Sequence, residues 1–416
     1  MAQSSPNTDY QLRARDIPVG AQMLFVAFGA LVLVPLLTGL NPNVALFCAG
    51  LGTLIYQVLT KFQIPIFLGS SFAFIAPIIL STQRHGQAAT LGALASVGLM
   101  YVVFALIIKI KGTGFLQRFL PHIVTGPVIM VIGLILAPVG VFMAMGKTGD
   151  GKIILFAQDK AMIVSMISLA VTVLVAIRGR GMLKLIPIIC GIVAGYVTSA
   201  FMGMVDFSAV AQAPWFKLPD FVAPEYNFDA VMIILPVAIA PIIEHIGSVL
   251  AIGSVTGKNY IDKPGVHRSL LGDGVATTMA GFLGGPPLTT YAEVTGAVSL
   301  IKIYNPALMT WAAITAVGLA FIGKLGALLQ TIPAPVMGGI MLLLFGAIMV
   351  VGLNSLVREG QDLMKPRNMV IVALIVVLGM GQMSVSLGPI HLEGIGLAGV
   401  AGVLLNALLP RDREDA

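Results

Sequence analysis

Three acidic residues lie inside stretches that are otherwise apolar: Glu244, Asp273 and Glu293. A carboxylate at the centre of a membrane-spanning helix costs about 3 kcal/mol, so its presence indicates a functional site that binds a polar ligand or carries protons. Glu244 and Glu293 are therefore candidates for a ligand or proton site. Asp273 follows the basic residue Arg268 and is interpreted as a helix-dipole partner or a structural hydrogen-bonding group.

Glu244 belongs to a stretch that is predicted to form a kinked helix, because Pro236 and Pro241 precede it and proline cannot donate a backbone hydrogen bond. Ser248 lies one turn later and shares a helix face with Glu244. His245 points about 100° away from that face. We interpret His245 either as a proton relay or as a packing residue with satisfied hydrogen bonds, and we favour packing.

Glu293 belongs to residues 284–302, which make a poor helix. Pro286 and Pro287 cannot continue one, and the Thr-Thr-Tyr sequence that follows favours extended backbone. At membrane depth an extended segment is tolerated only where it is buried in protein or lines a cavity, because lipid cannot satisfy its backbone groups. The sequence therefore predicts a strand that leads into a short helix near Glu293, facing a cavity.

The composition is that of a polytopic membrane protein. Of the 416 residues, 57% are hydrophobic and only 10% are charged, whereas soluble domains carry about 25% charged residues. Residues 1–19 are polar, which predicts a cytoplasmic N-terminal segment without a cleavable signal peptide. Cys48 and Cys190 fall in apolar stretches, so packing is expected and a disulfide is not.

Fourteen apolar stretches come close to the length of about 17 to 25 residues that a membrane span needs. They are residues 20–38, 43–60, 64–80, 88–108, 120–145, 160–177, 182–203, 229–255, 267–284, 286–302, 305–322, 333–353, 368–386 and 392–409. Most lysines and arginines fall on one side if the N-terminus is cytoplasmic, so both termini are predicted to be cytoplasmic. The outer loop 204–228 is acidic and is predicted to form a small extracellular cap.

Internal repetition suggests two related halves. Residues 115–121 resemble residues 327–333, although this match is weak by itself. Both halves also contain a proline-interrupted extended segment, at 64–74 and at 284–302. Seven spans per repeat require the second copy to be inverted, and such paired interruptions mark the binding site of a transporter near the bilayer midplane.

Enzyme and cofactor signatures are absent from the sequence. It has no His and Cys spacing typical of a metal site, no phosphate-binding glycine loop and no serine elbow. We therefore expect no metal, no cofactor, no nucleic-acid partner and no ATP-driven transport.

Four motifs, in this order, resemble the nucleobase–ascorbate transporter family, also called nucleobase:cation symporter-2, and are most similar to its bacterial uracil permeases. The motifs are Gly69-Ser-Ser-Phe-Ala-Phe-Ile75, Glu244-His-Ile-Gly247, Thr289-Thr-Tyr-Ala-Glu-Val-Thr-Gly296 and Pro333-Ala-Pro-Val-Met-Gly-Gly339. The resemblance implies an all-α membrane protein of fourteen segments in two inverted seven-segment repeats, with short strands in segments three and ten. It also implies proton-coupled uracil import, an elevator-like motion, a homodimer and a place in the bacterial inner membrane.

The resemblance further implies two domains that alternate along the chain. Their expected bounds are 20–110 and 229–322 for the core domain, 111–203 and 323–410 for the gate domain, 204–228 for the extracellular loop, and 1–19 and 411–416 for the cytoplasmic ends.

Carried over from the family, Glu244 accepts the ring N–H groups of uracil, and Glu293 holds the base or shapes the site. Phe72 stacks on the ring, and the backbone from Tyr291 to Glu293 donates N–H groups to the carbonyl oxygens. This set complements uracil, which presents two N–H donors and two carbonyl acceptors in one plane. The two glutamates are also the expected proton-coupling residues. The other residues expected to contact the nucleobase are Ala292, Ser71 and Ser248. A second set is expected to lie behind these residues and consists of His245, Asp273, Phe345 and Thr295.

Several positions depart from the family pattern. Ser248 and Met23 replace histidines, and Val294 replaces asparagine. Ala292 stands where glycine is common, and Phe345 replaces tyrosine. The coupling ion, proton or sodium, and the exact base therefore stay open, although a glutamate at 293 favours uracil over xanthine or urate.

The alternatives are a purine symporter of the xanthine or urate type, a sodium-coupled nucleobase carrier and, more remotely, a membrane-embedded enzyme that uses Glu244 and His245. An anion exchanger of the same architecture is disfavoured, because two site carboxylates would repel its substrate.

Overall fold

The computed structural model describes residues 8–112, 114, 121–358, 362–381, 383–387 and 390–410, and the side chains of all but a few of these. In chain order the helices are α1 (Ile17–Thr38), α2 (Pro42–Leu59), α3 (Ile75–His85), α4 (Gln87–Lys111), α5 (His122–Ala144), α6 (Gln158–Arg178), α7 (Pro187–Phe201), α8 (Ser208–Gln212), α9 (Phe228–Ile234), α10 (Ile239–Thr256), α11 (Val266–Leu283), α12 (Ala292–Ile301), α13 (Ala307–Ala320), α14 (Gly323–Gln330), α15 (Ala334–Arg358), α16 (Pro366–Met380) and α17 (Gly394–Leu408). The strands are β1 (Leu68–Ser70), β2 (Leu288–Thr290), β3 (Ser384–Leu387) and β4 (Ile390–Glu393).

Within the described residues, seven helical stretches are long and apolar enough to cross a membrane. They are Ala14–Thr38, Pro42–Leu59, Gln87–Lys111, His122–Ala144, Gln158–Arg178, Phe228–Thr256 and Ala334–Val357. Four shorter apolar helices, α7, α13, α16 and α17, accompany them. The expectation of a multi-pass, mostly helical membrane protein is confirmed.

The predicted kink before Glu244 is present. Between α9 and α10 the backbone tightens into a 3₁₀ turn over Leu235–Ala238, which contains Pro236. Proline lacks the N–H that an α-helix would use at this point, so the tighter turn lets the helical path continue without that bond.

Two expected element bounds are wrong. The predicted span 368–386 ends as a helix at Met380, and β3 then pairs antiparallel with β4 in a hairpin that reaches into the predicted span 392–409. Glycines near the helix end and the alternating Ser-Val-Ser-Leu sequence favour this change from helix to strand. A further difference is α14, a short helix between the predicted spans 305–322 and 333–353, which is not predicted from the sequence.

Strands β1 and β2 form a two-stranded antiparallel sheet in which Gly69 pairs with Thr289. Hydrogen bonds beyond the strand ends extend it, from Tyr291 N–H to the Phe67 carbonyl (3.2 Å) and from Ser71 N–H to the Pro287 carbonyl (2.9 Å). The two interrupted segments predicted from the prolines therefore meet directly, although they lie in opposite halves of the chain.

Side chains of neighbouring helices satisfy the outer edges of this sheet. The hydroxyl of Thr53 on α2 accepts from Leu68 N–H (3.0 Å). On the other edge, the hydroxyl of Thr277 on α11 accepts from Leu288 N–H (3.1 Å) and donates to the Leu288 carbonyl (3.0 Å). Such partners are necessary because an isolated sheet in the membrane would leave its edge groups without hydrogen bonds.

The buried side chains form two large apolar clusters. The sheet cluster surrounds β1 and β2 and draws on α1, α2 and α10 to α13; it includes Met23, Tyr56, Phe67, Val249, Leu288, Val298 and Met309. The bundle cluster joins α3 to α5, α9 and α15 to α17, and includes Phe74, Tyr101, Val128, Met341, Ile371 and Ile395. Phe72 is half-buried and packs against both clusters. It therefore marks their junction.

Helices α4 and α11 cross in close contact. A Cβ placed on Gly274 would lie 2.9 Å from the Gly98 carbonyl oxygen, so only glycine permits this approach. Close approach of backbones at small residues is a main source of helix association in lipid. This crossing fixes α11, which carries several of the residues behind the sheet.

The loop 204–228 contains α8 and is anchored to the end of α13. Lys217 N–H donates to the Phe321 carbonyl (2.9 Å), and the rings of Phe216 and Phe321 stack with centroids 5.7 Å apart. The Ser208 N–H donates to the Asp206 carboxylate and lowers its pKa, which keeps this part of the loop negatively charged.

Candidate functional site

The β1–β2 sheet leads into two short helices, one after each strand. After β1 the chain enters a 3₁₀ turn over Phe72–Phe74 and then α3, and after β2 it enters α12 at Ala292. Because the strands are antiparallel, the two helices leave the sheet at opposite ends, about 10 Å apart for three residues of strand. Each presents its N-terminal N–H groups near the sheet, where they favour negatively polarised ligand atoms.

Tyr291 ties the two interrupted segments together. Its hydroxyl donates to the Ser70 carbonyl (2.8 Å), and a Cβ on Gly69 would overlap the Tyr291 ring. Its N–H is already bonded to the Phe67 carbonyl. The expectation that this N–H is available to a ligand is therefore wrong. The N–H groups of Ala292 and Glu293 lie in the first turn of α12, where they have no partner within the helix.

Several buried hydroxyls around the sheet lack a hydrogen-bond partner among the residues that the structure describes. They belong to Ser70, Ser71, Thr289, Thr290 and Thr295. Leaving a buried polar group unpaired costs about 1 to 3 kcal/mol, so a polar ligand or water molecules would stabilise this region. Of these residues, Ser71 and Thr295 are among the predicted site residues.

Glu244 and Ser248 lie on the face of α10 that packs against β2. Ser248 is buried, and its hydroxyl donates to the Thr290 carbonyl at 3.4 Å. Glu244, one turn earlier, is half-buried. The predicted shared face is therefore directed at the end of β2, where α12 begins.

His245 and Asp273 form a buried pair between α10 and α11. Nδ1 of His245 lies 2.8 Å from Oδ2 of Asp273, and Nε2 lies 2.8 Å from the hydroxyl of Ser269. Asp273 lies two turns into α11, so the interpretation as a helix-dipole partner is wrong. The carboxylate instead faces His245 and the Thr290 N–H, as a structural hydrogen-bonding group does.

The other predicted positions divide between the two clusters. Met23 and Val294 are buried in the sheet cluster, and Thr295 is buried in α12 beside it. Phe345 is buried in the bundle cluster, on α15. The side chains of Ala292 and Glu293 lie outside the described part of the structure, which places only their backbone, in α12.

Thr53 and Thr277 hold the edges of the sheet and are not among the residues predicted for the site. A signal was present, because a strand predicted at membrane depth requires polar side chains on its neighbours. Thr277 also lies four residues after Asp273, on the same face of α11.

The protein is thus a multi-pass membrane protein in which two interrupted segments meet at a small sheet surrounded by buried hydroxyl groups. A family model described as "Permease family" matches residues 15–388. The chain is 51% identical over 412 residues to the "Probable uracil permease" of Pasteurella multocida, covering 99% of this chain and 98% of that protein. It is 44% identical over 401 residues to the "Uracil permease" of Bacillus caldolyticus, covering 95% and 92%.

Among solved structures, the transmembrane domain of the cyanobacterial bicarbonate transporter BicA is similar in fold, with a TM-score of 0.67 and 13% identity, covering 96% of this chain and 99% of that one. The chain belongs to the permease family, the nucleobase:cation symporter-2 family that its motifs resemble. It is a transporter and not an enzyme.

Proposed function

We propose that the protein is a secondary active transporter that imports uracil, or a related pyrimidine, together with a proton. The relatives named as uracil permeases match almost the whole chain. The structural observation that carries the proposal is the Ser248 to Thr290 hydrogen bond. This bond turns the Glu244 face of α10 toward the N-terminus of α12. It supports a site in which the Glu244 carboxylate is the acceptor and the N–H groups of Ala292 and Glu293 are the donors.

In the proposed complex, Glu244 accepts the ring N–H groups of the base. The N–H groups of Ala292 and Glu293 donate to a carbonyl oxygen, and Phe72 stacks on the ring. Ser71 and Ser248 supply further polar contacts, and Glu293 holds the base or shapes the site. Uracil satisfies such a set, since it has two N–H donors and two carbonyl acceptors in one plane.

Proton coupling is proposed to involve both glutamates. Two carboxyl groups that share a desolvated site favour keeping one proton between them. Glu244 and Glu293 would then link protonation to occupancy. His245, Asp273, Thr295 and Phe345 lie behind these groups.

We propose fourteen membrane segments in two inverted repeats of seven. This is supported by two matching units, β1 with α3 and β2 with α12, each an extended segment followed by a short helix. Their antiparallel pairing is the arrangement that an inverted repeat requires.

The proposed core domain comprises residues 20–110 and 229–322, and the proposed gate domain residues 111–203 and 323–410. Packing within each set supports the division, because α2 contacts α11 and α13 in the proposed core, and α15 contacts α5 and α6 in the proposed gate. The bundle cluster lies where α3, α4 and α9 of the proposed core meet α5 and α15 to α17 of the proposed gate. We propose that the core moves relative to the gate as an elevator and that two copies form a homodimer. The lysine and arginine distribution supports cytoplasmic termini in a bacterial inner membrane, in contact with lipid.

The test is uptake of radiolabelled uracil by proteoliposomes under a pH gradient, a sodium gradient or no gradient. The proposal expects accumulation that follows the pH gradient and is competed by uracil more strongly than by xanthine. Accumulation driven by sodium would overturn proton coupling, and stronger competition by xanthine would indicate a purine carrier. Conversion of uracil without net uptake would overturn transport itself.

A further inference from the structure

The His245–Asp273–Ser269 group is buried completely between α10 and α11. The proposed binding mode does not use it, although His245 directly follows Glu244. Histidine is the side chain that most readily gains and loses a proton near neutral pH. A histidine in this position therefore raises the question of which protonation states its surroundings accept.

Hydrogen-bond geometry accepts both states. The hydroxyl of Ser269 lies 2.8 Å from Nε2 of His245 and 3.0 Å from the Val266 carbonyl. With neutral His245, Nδ1–H donates to Asp273 and the Ser269 hydroxyl donates to Nε2. With protonated His245, Nε2–H donates to the Ser269 oxygen, and the hydroxyl turns to the Val266 carbonyl. No buried ring nitrogen loses its partner in either state.

The proposed binding mode requires a proton-binding group other than Glu244. A carboxylate that accepts ring N–H groups with both oxygens does so in its ionised form. While Glu244 holds the base in this way, it cannot also carry the co-transported proton, which must then reside on Glu293 or on a third group. His245 is the adjacent residue, and Asp273 supplies the opposite charge that stabilises an imidazolium away from water.

The surrounding titratable groups are compatible with this charge. Tyr56 on α2 and Tyr101 on α4 both lie near the Asp273 carboxylate. Glu244 on α10 and Glu293 on α12 are acidic, and β2 contributes no titratable side chain. Asp273 also faces the Thr290 N–H at the end of β2, so the His245–Asp273 pair lies beside the strand that leads into α12.

We propose that His245 holds the co-transported proton, as an imidazolium paired with Asp273 and hydrogen-bonded to Ser269. The inference rests on the proposed proton symport and places its proton on His245 rather than between the two glutamates. The proton binds Nε2 when the carrier is loaded and leaves from the same nitrogen when the base is released.

The experiment uses the full-length protein in proteoliposomes and compares His245→Gln with wild type. Uracil counterflow at equal pH reports binding and movement, and accumulation under a pH gradient reports coupling. The expected result is that His245→Gln loses accumulation relative to its own counterflow. In weakly buffered detergent it also loses the proton uptake that wild type shows when uracil is added. His122→Gln is the matched control, since His122 also bonds a serine hydroxyl, Ser355 (2.9 Å), and should behave as wild type.

Retention of gradient-driven accumulation and proton uptake by His245→Gln would overturn the inference and leave proton symport intact. Failure of wild type to follow the pH gradient would instead overturn the proposed function. If His245→Gln does not fold, Ser269→Ala serves in its place. That variant removes the hydroxyl that adapts to both states, so the pH profile of uptake should shift, and an unchanged profile would contradict the proposal.

Discussion

The ring of Tyr291 lies directly against the backbone of Gly69, and its hydroxyl reaches the next carbonyl, that of Ser70, at 2.8 Å. This contact joins segments that are 221 residues apart in the chain. It stabilises the sheet from which α3 and α12 depart, so the geometry of the site depends on the absence of a side chain at position 69.

Replacement of Gly69 by alanine should therefore impair transport. The added Cβ would displace the Tyr291 ring and break its bond to Ser70, and overpacking of this kind costs about 1 to 3 kcal/mol. We expect a lower thermal unfolding temperature and reduced uracil uptake. Gly318→Ala on α13 is the control, because a Cβ there meets no atom within 4 Å. Equal behaviour of the two variants would contradict the assigned contact.

Thr277→Val should destabilise the sheet edge. The change preserves shape but leaves the Leu288 N–H and carbonyl without their partner, at about 1 to 3 kcal/mol for each buried group left unpaired. Thr53→Val leaves only the Leu68 N–H without its partner, so its loss of stability should be smaller. Thermal unfolding in detergent measures both. Thr198→Val is the control, because that hydroxyl donates only to the Ala194 carbonyl of its own helix; a loss as large as that of Thr277→Val would refute the edge role.

Glu244→Gln should weaken uracil binding. The substitution replaces one carboxylate oxygen by an NH2 group, which cannot accept a hydrogen bond from the ring N–H. A hydrogen bond to a charged partner contributes about 1.5 to 3 kcal/mol. Binding measured by calorimetry on purified protein should fall accordingly, while thermal stability without ligand changes little. Glu225→Gln in the exposed outer loop is the matched control. Undiminished affinity in Glu244→Gln would remove this residue from the proposed site.

Phe72→Ala should reduce affinity through loss of stacking, which contributes about 1 to 3 kcal/mol per base. Phe72→Tyr keeps the ring and should retain most of the affinity. Because Phe72 also packs against both apolar clusters, binding must be compared at a temperature where both variants are folded. A folded Phe72→Ala protein with wild-type affinity would show that the ring does not contact the base.

The sequence determined the features that depend on local chemistry. Low charge and long apolar stretches identified a membrane protein, and the prolines near positions 65 and 286 located the two interrupted segments. The prolines before Glu244 predicted a kink in the helix, which the structure forms as a 3₁₀ turn over Leu235–Ala238. These features follow from backbone donors that are missing and from side chains that water or lipid excludes, so nearby residues are enough to predict them.

Tertiary structure alone decided which distant groups meet. The pairing of Gly69 with Thr289, the edge contacts of Thr53 and Thr277, and the His245–Asp273 pair all join separate helices or halves of the chain. The same packing assigned the Tyr291 N–H to Phe67 rather than to a ligand. Such contacts depend on how closely helices approach at glycines such as Gly98 and Gly274. Helix periodicity predicts which face of a helix is buried, but it does not predict which other element packs against that face.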